Sequence, residues 1–209
     1  MKSSLPSTKA ERLLITGFPP FHGHPFNPTQ RIVEAIQDGT LSVPSRFDVF
    51  ASLLPVEYVA IESEFTRLID DFQPTLVFSF GVGHSGALLH LERWGVNCDD
   101  AAVPDNAGVI RTGQEIVDGG PSQLPATIDV DALHVRLQEQ DVDAVTSDSA
   151  GRFLCNHLLY YGLYSAQSQP VPYRMTFVHV RPLETSPDVL PQELALLFNA
   201  VEKLLECLY

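Results

Sequence analysis

Short apolar runs and amphipathic stretches alternate along most of the chain. Residues 13–16 (Leu-Leu-Ile-Thr) form an unbroken apolar run too short for a helix, so they predict a buried strand. Residues 29–37 place Ile32, Val33 and Ile36 on one helical face. Residues 47–54 read as a second strand, stopped by Pro55. Residues 59–72 carry Ile61, Phe65, Leu68, Ile69 and Phe72 as one stripe, and residues 75–80 give a third strand. The pattern then continues with a helix over 131–140, a short strand over 143–147 and a helix over 158–168. A strand over 173–180 and an amphipathic helix over 191–208 close the chain. Such alternation predicts an α/β fold, a single-domain α/β/α sandwich whose mixed, mostly parallel twisted sheet has helices on both faces. No internal repeat or linker interrupts it, so one domain over 1–209 is expected, with residues 1–10 polar and frayed.

Four stretches do not reduce to this pattern. Residues 87–97 hold Leu88, Leu89, Leu91 and Trp94 and suit helix or strand equally. Glu92 inside that run is either a solvated helix-face charge or a deliberately placed carboxylate. Residues 98–126 are irregular, and a loop of that length in a compact domain covers a site or performs a function. The loop 17–28 is rich in Pro and Gly yet carries Phe18, Phe21 and Phe26, so it folds over the core or lines an apolar pocket. Its His22 and His24 are too few for a metal site and read as solvent-exposed. Gly81-Val82-Gly83-His84-Ser85-Gly86 formally matches a dinucleotide fingerprint, but it follows the third strand rather than the first. It also approaches a nucleophile elbow around Ser85, with Ala87 in place of the last glycine. A serine hydrolase using Ser85 and His179, a non-catalytic small-ligand pocket and a plain strand-end turn all stay open on these residues.

Charge narrows the partners. A net charge of −13 argues against nucleic acid or an anionic membrane as the main partner, since both need basic patches. Three widely spaced cysteines, Cys98, Cys155 and Cys207, fit free thiols better than a disulfide framework. No Cys/His cluster has zinc spacing, no secretory h-region is visible, and no apolar run is long enough for a bilayer. The expectation is a soluble cytoplasmic protein.

The candidate chemistry centres on residues 150–157, Ala-Gly-Arg-Phe-Leu-Cys-Asn-His. Cys155 lies where a loop enters a helix, and the unpaired N–H groups and dipole of a helix start favour thiolate. The alternative is a buried structural cysteine. A thiol nucleophile needs a base, and the base needs an orienting group. His179, at the end of the strand over 173–180, is one candidate base; His157 is the other, only two residues past Cys155. Cys207 reads as a packing or surface residue beside the last helical stripe.

Taken in order, several blocks resemble the pyrrolidone-carboxylate peptidase (pyroglutamyl peptidase type I) family of cysteine peptidases. They are Gly17-Phe18-Pro19-Pro20-Phe21 with Asn27-Pro28, the 81–86 turn, Glu92-Arg93, Val103-Pro104-Asp105-Asn106, Asp118-Gly119-Gly120-Pro121, the block around Cys155, and Phe177-Val178-His179-Val180. The resemblance implies hydrolysis of the amide after an N-terminal pyroglutamyl residue of peptides, through a thioester acyl-enzyme and without metal or organic cofactor. It implies Cys155 as nucleophile, His179 as base and then acid, and Glu92 as the group that orients the imidazole. Phe18 and Phe21 match the family's aromatic clamp, and Val82, Val103, Phe153 and Leu154 match other pocket positions. A homo-dimer or homo-tetramer is implied as well. The chain departs from the family at Ala102, where many bacterial members carry arginine, and at Arg181, where many carry proline. Arg152 is the candidate to supply the positive charge that Ala102 lacks.

Overall fold

The computed structural model describes residues 10–21, 25–83, 85–170 and 172–208. The expected frayed residues 1–9, the histidines 22 and 24, and His84 of the glycine-rich turn lie outside them.

The strands and helices follow the predicted alternation. They are β1 (Glu11–Gly17), α1 (Pro28–Gln37), β2 (Phe47–Leu53), α2 (Tyr58–Phe72), β3 (Leu76–Val82), β4 (Leu89–Glu92), β5 (Trp94–Val96), β6 (Gln123–Pro125), α3 (Val130–Glu139), β7 (Ala144–Ser147), α4 (Leu154–Ala166), β8 (Arg174–Val180) and α5 (Leu190–Glu206). Six strands make one sheet in the order β2-β1-β3-β8-β4-β7. β2, β1, β3 and β8 run parallel, whereas β4 joins β8 antiparallel and then pairs parallel with β7. The sheet is therefore mixed and mostly parallel, as the sequence pattern predicts. β5 and β6 form a separate antiparallel pair.

Helices cover both faces, which is why the central strands are apolar at nearly every position. Along β8, Met175 and Phe177 pack with α2 and α4, whereas Val178 and Val180 pack with α1, α3 and α5. β1 alternates in the same way, with Leu14 on the α2/α4 side and Leu13 and Ile15 on the other. This period of two puts His179 on the α2/α4 face, beside Phe177 with ring centroids 4.9 Å apart.

The structure settles one choice the sequence left open and corrects one boundary. The stretch 87–97 is strand, not helix, and Glu92 closes β4 with no exposed surface. It is thus not a solvated helix-face charge. α4 begins at Leu154 rather than 158, which places Cys155 in its first turn. α4 is wedged between the sheet, α2 and the β5–β6 pair and buries residues on nearly all sides. It therefore carries no amphipathic stripe from which its start could be read.

Candidate active site

The site forms at the carboxyl ends of β1, β3 and β8, on the α2/α4 face. Open α/β sheets place ligands outside the carboxyl ends of their strands. A cavity of about 280 Å³ opens there, near the lower end of the range for small-ligand pockets. Its lining includes Phe18, Phe21, Asn27, Val56, Val82, Gly83 and Val103, the segment Ala150 to Cys155, and His179.

Each wall has a local cause. Phe18 and Phe21 follow β1 on a loop tied to the start of α1. The Asn27 side chain accepts from the Thr29 N–H at 3.0 Å and donates to the Pro19 carbonyl at 3.1 Å. The Thr29 hydroxyl accepts from the Phe18 N–H at 3.0 Å. Asn27 caps α1 and Pro28 follows it in the first turn, an ordinary helix start turned to holding an aromatic wall. Val103 is carried by the irregular segment after β5. Asp105 fixes that segment by accepting from the N–H groups of Tyr58, Ala107 and Val109 at 2.9, 3.0 and 2.8 Å. The long loop thus covers the pocket, as its length suggested.

The glycines of the 81–86 turn have a specific reason. A Cβ on Gly81 would stand 2.7 Å from the Cys155 sulfur, and one on Gly83 would stand 2.9 Å from Cδ2 of the His179 ring. β3 therefore ends in two bare positions, one under the thiol and one under the imidazole. The two glycines thus have a packing reason of their own, apart from any phosphate-binding turn. Ser85 is exposed, contributes nothing to the cavity lining, and precedes a strand instead of the helix that a nucleophile elbow requires. The serine-hydrolase alternative falls on this point.

His179 Nδ1 lies 2.7 Å from Glu92 Oε1. Against a carboxylate that nitrogen donates, which leaves Nε2 as the ring's acceptor. The antiparallel β4–β8 register produces the pair: His90 stands opposite His179, and Glu92, two residues on, shares that face. Phe153 caps α4 in an extended conformation, and the His157 N–H closes the first helical turn onto the Phe153 carbonyl at 3.0 Å. The N–H groups of Leu154, Cys155 and Asn156 then have no acceptor within the helix.

One expectation is reversed. The helix start favours thiolate, yet burial, reinforced by the Glu92 charge, pushes the Cys155 thiol up to about 12. The residue's own N–H offsets only part of this. These surroundings favour the Cys155 thiol over the thiolate that a helix start alone would favour. Arg152 lines the cavity mouth with an exposed side chain whose Nη1 donates to the Gly151 carbonyl at 3.4 Å.

A model of the pyroglutamyl peptidase family matches residues 11–194. The chain belongs to this family. Among relatives, the pyrrolidone-carboxylate peptidase of Klebsiella pneumoniae (strain 342) is 34% identical over 194 residues, covering 93% of this chain and 89% of its own. That of Deinococcus radiodurans is 36% identical over 152 residues, 73% of this chain and 69% of its own. In fold, the chain is similar to pyrrolidone carboxyl peptidase from Pyrococcus furiosus. The TM-score is 0.82 at 26% identity, over 93% of this chain and 96% of that one. The enzyme from Fervidobacterium islandicum AW-1 superposes with a TM-score of 0.83 at 27% identity, over 91% and 94%.

Six pocket positions expected from family resemblance, Phe18, Phe21, Val82, Val103, Phe153 and Leu154, all line the cavity. Cys155 and His179 both line the cavity, and Glu92 stands behind the imidazole at Nδ1. Sequence reasoning missed Val56, Ala150 and the wall role of Asn27. Val56 had a usable signal, since it directly follows the Pro55 that stops β2, at the sheet edge where ligands bind. His157, the competing base, stands outside the pocket lining, buried between Asp99 and Glu62.

Proposed function

We propose that the protein removes an N-terminal pyroglutamyl residue from peptides by nucleophilic catalysis at Cys155. The observation that supports this best is the pair of bare glycine positions, Gly81 and Gly83, on which the Cys155 thiol and the Glu92-held His179 ring rest at the floor of one apolar pocket. Phe18, Phe21, Val56, Val103 and Phe153 suit a flat, uncharged lactam. Among the described residues the lining contains no carboxylate. An ordinary peptide would bring its α-ammonium into this apolar space unpaired, which is costly. The lactam carries no charge, and that difference selects pyroglutamyl over free amino termini.

The chemistry starts from thiol and neutral imidazole. Cys155 Sγ attacks the pyroglutamyl carbonyl carbon as its proton passes to His179 Nε2. Glu92 accepts from Nδ1–H, fixes the tautomer and steadies the imidazolium that forms. The negative charge on the carbonyl oxygen meets the N–H groups that open α4. Collapse breaks the C–N bond, and the departing amine takes the proton from His179. The thioester left on Cys155 is cleaved by water, again deprotonated by His179, which releases pyroglutamate and restores the thiol.

The test is release of a fluorophore from a pyroglutamyl amide by the wild type, by Cys155→Ala and by iodoacetamide-treated wild type. Release in the first and loss in both others is the expected result. Release that survives Cys155→Ala would move the nucleophile elsewhere and sink the reading.

A further inference from the structure

A second carboxylate–histidine cluster lies two residues beyond Cys155 on α4, and the chemistry above does not use it. His157 has no exposed surface. Its Nδ1 lies 2.9 Å from Asp99 Oδ2, in the irregular segment after β5. Its Nε2 lies 3.1 Å from Glu62 Oε1 on α2, at ion-pair distance but off the line of an ideal hydrogen bond. Both ring nitrogens thus face carboxylates. A neutral ring would point a lone pair at one of them; only the imidazolium presents a proton to each.

The cluster reaches the pocket by two routes. Asp99 Oδ2 also accepts from Arg111 Nη1 at 2.8 Å, and that guanidinium lies 4.3 Å over the Tyr58 ring. Tyr58 meets His157 and Phe153 edge-on, with centroids 5.4 and 5.7 Å apart, and its N–H holds Asp105. Phe153 is a pocket wall, and the chain between Asp99 and Asp105 carries Val103, another wall. Tyr161, on α4 itself, stacks on the imidazole at 6.4 Å.

We propose that His157, held as an imidazolium between Glu62 and Asp99, is a positioning residue that sets the spacing of the Val103 and Phe153 walls and so the affinity for substrate. The inference rests on the pyroglutamyl reading of that pocket. Burial opposes the charge, but the hydrogen bonds and charges of Asp99 and Glu62 outweigh it and hold the His157 proton above the ordinary histidine range. A proton held more tightly in the folded state is retained through neutral pH and lost only as pH rises past that raised value. KM therefore increases on the alkaline side as His157 loses its proton, while kcat, set at Cys155 and His179, does not follow it.

Glu62→Gln tests this with little risk to folding, because the Glu62 side chain is 35% exposed. The variant is expected to start its alkaline rise in KM at lower pH, with KM at pH 8 above wild type by on the order of threefold to tenfold, the scale of losing a nearby opposite charge. The pH profile of kcat should overlay that of the wild type. A KM profile unchanged in the variant would overturn the proposal, as would a fall in kcat at constant KM. An NMR titration of the His157 ring in wild type reads the same point without substrate. The ring should keep its proton above the ordinary value of about 6.5, and the amides of Val103 and Phe153 should titrate with its midpoint. Loss of the proton at or below that value, or amides that do not move with it, would overturn the proposal even in a protein that proved inactive on pyroglutamyl amides. Such inactivity would by itself count against the functional reading alone.

Discussion

Among the described residues two histidines are buried, each hydrogen-bonded through Nδ1 to a carboxylate at nearly the same distance, 2.7 Å for Glu92–His179 and 2.9 Å for Asp99–His157. What differs is the second ring nitrogen. His179 lines the pocket with its ring against Gly83, whereas His157 turns Nε2 to a second carboxylate, Glu62. A ring with one anchored nitrogen and one facing a cavity can exchange a proton with a substrate. A ring clamped on both sides holds its proton and the elements around it. The pair of residue types therefore does not decide the role; the occupant of the far side does.

Neutralising the two carboxylates separates these roles. Glu92→Gln should cost about 10²–10⁴-fold in kcat, the scale of a general base that has lost its orienting partner. It should change unfolding less than Asp99→Asn does. Asp99→Asn leaves both His157 and Arg111 without their buried counter-charge and should destabilise by about 3–5 kcal/mol, the scale of breaking a buried ion pair. Urea unfolding alongside kcat decides the matter. Equal effects of the two variants on both readouts would mean that the two histidines do the same work.

A smaller effect is expected at the floor of the site. Gly81→Ala drives a Cβ to 2.7 Å from the Cys155 sulfur and the same distance from Phe177 Cζ. The strain should reach about 1–3 kcal/mol, and the displaced thiol should lower kcat by more than that stability loss accounts for. If kcat stays at the wild-type value while the variant folds, the glycine is no cradle for the thiol.

Much of this arrangement was legible before any geometry. Strands buried on both faces read as short apolar runs, and the stripes of α2 and α5 read as helices, so the α/β class followed from period alone. Cys155 at a helix start, His179 at a strand end and the Phe18/Phe21 loop stood out as candidates by position, whereas their roles came from family resemblance, since no short motif joins residues distant in sequence. Three things were out of reach. Whether 87–97 was helix or strand depended on β8, a partner more than eighty residues away that fixes β4 by register. The start of α4 was hidden because the helix is buried on nearly all sides and shows no stripe. The state of the thiol was misjudged because a helix start is visible in sequence, whereas the desolvation that outweighs it, and the Glu92 charge behind it, belong to the packed fold.

The smallest effect is at the rim. Arg152 is the only side chain of fixed charge among the described residues that line the cavity, and it is exposed. Charges exposed to water interact by about 0.2–1 kcal/mol, so Arg152→Thr should slow alkylation of Cys155 by iodoacetamide at pH 8 by no more than about fivefold. High salt should erase the difference, because a rim charge is screened while the Glu92–His179 pair behind the ring is not. An unchanged alkylation rate at low salt would remove Arg152 from the electrostatics of the thiol. A fall much beyond fivefold would mean that its guanidinium swings inward over the sulfur when the pocket fills, and that Arg152 belongs with His179 rather than with the rim.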